Sequence, residues 1–125
     1  MRYLLLSLFF SVPVFAQDPA QALRSRLQNA AADSDRIKIY LELSKYYTND
    51  QPDSAVAYCN RGMQVAEKTS DRENEARLLL QMGDINITHH HTELARRFIN
   101  ESLSIFRQMN DKEGIAGAYD ALGLL

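Results

Sequence analysis

The sequence predicts an all-α solenoid of antiparallel helix pairs, on three observations. Leu43-Ser44, Met82-Gly83 and Leu122-Gly123 recur at a nearly constant spacing of about 40 residues, and a fixed period of this size marks a stacked repeat array. A bulky residue, Tyr40, Leu79 or Tyr119, stands three positions before each pair, and the first two pairs are followed in the next helix by Ala55 and Ala95. Small residues at such places let helix axes approach to roughly 8–10 Å. Nothing alternates with period two over the length of a strand, so no sheet is expected.

The first sixteen residues are set apart from the fold. Arg2 and the amino terminus give a positive start, Leu4 to Phe15 is an apolar run broken only by serines and Pro13, and Val14-Phe15-Ala16 puts small residues at positions −3 and −1. This is the pattern of a secretory signal peptide over residues 1–16 cut before Gln17, which implies export to the periplasm. The run is shorter than the roughly 20 residues that span a bilayer, and no charged flank follows it.

Asp18-Pro19 opens a helix with an acidic N-cap and proline at the first helical position. Residues 17–33 then form a leading helix, Pro19 to about Ala31, whose Leu23 and Leu27 cover the open apolar edge of the first repeat. Repeat 1 occupies residues 34–70. Its helix A runs from about Asp35 to Asn49 with Ile37, Tyr40, Leu41, Leu43 and Tyr47 inward. Pro52 ends the turn Asn49-Asp50-Gln51 and opens helix B, which continues to about Lys68 through Ala55, Cys59, Met63 and Ala66. Repeat 2, residues 71–110, pairs helices from about Asp71 to Thr88 and Thr92 to Met109. Ser70-Asp71-Arg72-Glu73 and Asn110-Asp111-Lys112-Glu113, one repeat period apart, predict capping boxes with Ser70 and Asn110 as N-caps answered by Glu73 and Glu113. Residues 111–125 hold a lone helix A of a third repeat, which exposes Ile115, Tyr119 and Leu122 unless another helix covers them. The expectation is therefore an N-terminal fragment of a longer array, prone to self-association through this last helix.

Charge narrows the function. The chain carries a formal net charge of −2, and loss of Arg2 with the leader leaves 13 basic against 16 acidic residues, about −3. Such a balance favours neither nucleic acid nor an anionic membrane surface as partner. Cys59, the single cysteine, cannot form an internal disulfide and occupies the packing position that Ile99 takes in the next repeat, so a small buried role is expected. His89-His90-His91 lies in a tight turn where adjacent side chains diverge, whereas zinc needs converging ligands; a polar turn explains it better than a metal site. Ser44 and Ser102 sit at packing positions without a base or orienting acid. Glu73 and Glu75 belong to a helix's first turn, where they favour the dipole. No catalytic residue, cofactor or metal follows from these residues.

The residues Leu79, Met82-Gly83 and Ala95, opening again at Tyr119 and Leu122-Gly123, resemble the tetratricopeptide repeat (TPR) family. In the first repeat Tyr40, Leu43-Ser44 and Ala55 fit with a turn one residue shorter, and a period near 40 implies helices about a turn longer than the standard repeat. The resemblance implies a superhelix whose A helices line a concave groove. The positions pointing into it correspond to Lys38, Leu41, Glu42 and Lys45, then Arg77, Leu80, Gln81 and Asp84. The family's best-known mode grips a terminal carboxylate with a lysine and asparagines; here leucine stands at 41 and 80, and Lys45 and Asp84 replace asparagine, so that clamp is not implied. A mixed charged and apolar groove suits a protein or peptide ligand, such as a neighbouring helix. By resemblance, an exported start followed by such repeats is similar to the sensing region of membrane-bound, two-component-type signalling proteins, with an output domain downstream. The competing readings are a free periplasmic adaptor and, third, a metal-binding module on His89 to His91.

Overall fold

The computed structural model describes residues 18–125; the expected signal peptide lies outside them. Six helices follow in order: α1 (Pro19–Asn29), α2 (Asp33–Tyr47), α3 (Pro52–Lys68), α4 (Arg72–Thr88), α5 (Thr92–Gln108) and α6 (Lys112–Gly123), with no strand among the described residues. The helix-pair array expected from the repeat period is what forms: α2 packs on α3, α4 on α5, and each pair on the next.

Local chemistry sets the helix ends. Asp18 caps α1 by accepting from the Ala20 N–H at 3.2 Å, and Pro19 follows at the first turn. The first turn of α2 holds Asp33 and Asp35, which complement the positive end of the helix dipole, and the helix starts two residues earlier than the sequence suggested.

The three links after α3, α4 and α5 share one design, and it corrects the expected caps. Ser70, His90 and Asn110, evenly spaced along the chain, adopt left-handed backbone with φ of 54°, 62° and 54°. Around each, two bonds close the preceding helix. In the first link the Asp71 N–H bonds to the Ala66 carbonyl at 2.8 Å and the Ser70 N–H to that of Glu67 at 3.2 Å; the His91 and Asp111 N–H groups repeat the first of these bonds, to the Asn86 and Phe106 carbonyls. This is the Schellman arrangement, usually built with glycine at the left-handed residue. The N-cap is consequently one residue later than expected. Asp71 accepts from the Asn74 N–H at 3.1 Å and Asp111 from the Gly114 N–H at 3.0 Å. Glu73 pairs with Arg77 at 2.7 Å instead of capping in return. Ser70 and Asn110 end helices; they do not start them.

Packing follows the repeat register. Ala20, Ile39 and Leu43 join α1 to the first pair, with Leu23 and Leu27 of α1 against them. Ile37, Cys59, Ala66 and Leu78 join the two pairs, and Leu79, Ile99, Leu103, Phe106 and Ala118 join the second pair to α6. Gly83 lies where a side chain could not: a Cβ there would stand 2.5 Å from Ile99 Cγ1 and 3.6 Å from the Ala95 carbonyl oxygen. At the equivalent position of the first pair, Ser44 is fully buried and donates its hydroxyl to the Ala55 carbonyl at 2.8 Å. In α6, Ile115 and Leu122 are only half-buried yet pack on the core, while Tyr119 is 48% exposed and accepts from Arg107 through its hydroxyl. Along the array α2 touches α4 and α4 touches α6, whereas α3 and α5 do not meet. The A helices are thus the crowded inner layer, and their free faces line the concave side.

Candidate functional site

One hollow of about 270 Å³ opens on the inner face. Leu41 and Lys45 of α2, Arg77, Leu80, Gln81 and Asp84 of α4, and Glu113, Gly114 and Gly117 of α6 line it, together with Phe106 of α5 and Asp111 of the link before α6. Each helix contributes residues spaced three or four apart, which stack on one helical face. Gly117 makes room for the cavity, since a Cβ there would meet only Leu80 Cδ2, at 3.6 Å.

Of the eight groove residues read from the sequence, the fold brings Leu41, Lys45, Arg77, Leu80, Gln81 and Asp84 together around this hollow. Lys38 and Glu42 lie outside it. Lys38 is one turn before Leu41, and Glu42 faces the leading helix, its carboxylate 3.5 Å from Arg26 Nη1. Gln81 is present but occupied: it is buried, and its amide donates to Ser44 Oγ at 3.3 Å and Thr48 Oγ1 at 3.0 Å. His89 Nε2 adds a bond to the Thr48 carbonyl at 2.7 Å. Together these form a polar seam tying the second repeat to the first, so Gln81 holds the wall of the hollow in place. The α6 residues were missed by sequence reasoning; the register could have found Gly117, one repeat period beyond Arg77, but not Glu113 or Gly114, whose counterparts Glu73 and Asn74 lie outside the lining.

The electrostatics of the hollow are uneven. Asp84 is half-buried and forms no ion pair among the described residues. Burial pushes its carboxyl above the ordinary value, opposed by the charge of Lys45. Arg77 is paired with Glu73 at 2.7 Å, a residue outside the lining.

The other candidate groups are engaged structurally. Cys59 is fully buried with Sγ 3.2 Å from the Leu78 carbonyl, and burial pushes its thiol to about 12, far from the thiolate that reactivity requires. In the histidine run, His89 joins the seam, His90 supplies the left-handed link and His91 Nδ1 lies 3.3 Å from Asn86 Oδ1. No group of metal-binding geometry occurs among the described residues. Ser102 is buried and donates to the Ile99 carbonyl at 2.7 Å. No described helix is long and apolar enough to cross a membrane.

The repeat register, the stacked pairs and the inner hollow describe a TPR array, and comparison decides the matter: the family model described as the SusR N-terminal TPR domain matches residues 18–101. The chain belongs to this tetratricopeptide repeat family. The match covers α1 to α4 and runs into α5, so the α6 wall of the hollow lies beyond it. No curated protein and no solved structure matches the TPR chain. The family is one of protein-interaction scaffolds and is generally non-catalytic.

Proposed function

We propose that this TPR domain holds a peptide segment or a neighbouring helix of a partner in the hollow between α2, α4 and α6, as a non-catalytic scaffold. The observation that carries the reading is the convergence of three successive A helices on one cavity lined by the apolar Leu41 and Leu80 and by charged side chains. The cavity is smaller than the roughly 300–1,000 Å³ of small-molecule sites, which suits single side chains of a longer ligand. Selecting binders from an unbiased displayed-peptide library tests this, with counter-selection on Gly117→Phe, whose ring fills the hollow. Peptides that bind the chain and are lost on the filled variant support the reading; a selection that yields none of that kind refutes it.

The domain is exported, in this reading, and acts as the sensing region of a two-component-type signalling protein. The charged start, short apolar run and Val14-Phe15-Ala16 site support export; the signalling role rests on the family resemblance. Expression with the native leader in a Gram-negative host should give a mature chain beginning at Gln17 by mass spectrometry. Soluble cytoplasmic protein retaining Met1 would refute export.

A further inference from the structure

We infer that the hollow selects a peptide carrying a basic residue, lysine or arginine, next to an apolar one. This rests on the groove reading above and adds the chemistry of the partner. Three carboxylates line the cavity, Asp84, Asp111 and Glu113, against two cations, Lys45 and Arg77. Arg77 is already neutralised by Glu73. Asp111 engages one oxygen with the Gly114 N–H. Lys45 from α2 therefore faces two carboxylates, Asp84 from α4 and Glu113 from α6, that make no ion pair among the described residues. The surplus charge of the site is negative.

Position makes that surplus matter. A half-buried carboxylate without an ion-pair partner is poorly solvated, and a cation brought to it in a partly dry cavity gains more than one at an exposed surface carboxylate. Leu41, Leu80 and the bare backbone at Gly117 lie beside Asp84 and Glu113, giving an apolar surface for the adjoining side chain. An arginine or lysine lays its aliphatic stem along such a surface while its head reaches the acid. An acidic ligand would instead meet Asp84 and Glu113, with Lys45 as the one lining cation that makes no ion pair among the described residues, and like-charge contacts are the usual means of rejecting a wrong partner. The site thus has the opposite polarity to a carboxylate-gripping groove.

Fluorescence anisotropy of the full chain with three labelled peptides tests the polarity. The peptides share their leucine and alanine positions and differ only in carrying two arginines, two glutamines or two glutamates. The arginine peptide should bind at least about tenfold more tightly than the glutamate peptide. Asp84→Asn should weaken the arginine peptide by about tenfold and leave the glutamine peptide unchanged. Glu113→Gln, at an exposed position, should act in the same direction, and melting curves confirm that both variants fold. Equal binding of the arginine and glutamine peptides, both lost on Gly117→Phe, overturns the charge preference while the groove reading stands. Occupancy by free argininamide at the affinity of the arginine peptide overturns the requirement for an apolar neighbour. Binding of all three peptides that ignores both Asp84→Asn and Gly117→Phe removes the groove reading along with the preference.

Discussion

Replacing Gly83 by alanine sets packing against helix propensity within one residue. Gly83 lies inside α4, where exchange of glycine for alanine stabilises an exposed helix by about 1 kcal/mol. Here the new methyl would stand 2.5 Å from Ile99 Cγ1, against the 3.4–4 Å of ordinary contact, so about 1 Å of room must be found. Ile99 is fully buried, and its Cγ1 cannot swing aside as a chain end could. Overpacking of this kind costs about 1–3 kcal/mol; with the close approach at the upper half of that range, the net loss is about 1–2 kcal/mol after the propensity gain. Gly117→Ala is the matched control: it is also inside a helix, its Cβ would touch Leu80 Cδ2 at an ordinary 3.6 Å, and it should gain up to about 1 kcal/mol. Urea melts of the two variants should move in opposite directions at unchanged m-value, and the Gly83→Ala melting temperature should fall by about 4–8 °C per kcal/mol. Ile99→Ala in the Gly83→Ala background should cost less than in the parent, because the two changes share one space. A Gly83→Ala protein at least as stable as the parent would refute the packing register on which the groove assignment stands.

Three further outcomes follow. His90→Gly should raise stability by up to about 1 kcal/mol in thermal melts, because left-handed backbone costs a non-glycine residue about 1–2 kcal/mol and glycine's extra unfolded-state freedom offsets only part of that gain; a loss of stability would mean that the imidazole supports the link. Cys59 should resist alkylation by iodoacetamide at pH 8 in the native protein and react at the rate of global unfolding in urea, since its thiol is fully buried and pushed to about 12; rapid native labelling contradicts this. Asp84→Asn should be as stable as the parent or more so at pH 7. Burial raises the folded-state pKa of Asp84 above the unfolded value, so its ionisation opposes folding at high pH. The variant's advantage should be full above the raised pKa and vanish below the ordinary value of 3.8; an advantage that grows toward acid reverses the argument.

The architecture was legible because it is written in spacing. Leu43-Ser44, Met82-Gly83 and Ala95 lie where backbones must come close, and a missing or small side chain leaves a plain mark at a fixed period. Eight groove positions were implied by the family resemblance, and six of them line the hollow, because residues three and four apart share one helix face. The helix boundaries were less legible. Ser70 and Asn110 look like N-caps because serine and asparagine favour that position, but asparagine also tolerates left-handed backbone, and the aspartate that follows each is the better cap. Which of two polar neighbours ends one helix and which begins the next depends on the tertiary angle between them. The inward turn of Gln81 was hidden for a related reason: a glutamine on a groove position reads as solvated until Ser44 and Thr48 of the neighbouring repeat are seen to receive it. Glu42 is exposed on the side of α2 that faces Arg26 of the leading helix, a neighbour that no repeat register contains.

The claim that the inner face of α2, α4 and α6 receives a partner is tested most directly by amide chemical-shift mapping of the labelled chain during titration with the arginine peptide. Shifts should concentrate on Leu41, Lys45, Leu80, Asp84, Glu113 and Gly117, saturate along one binding curve and disappear in Gly117→Phe. Saturable shifts that map instead to α3 and α5, with the hollow's residues unmoved, would contradict the account.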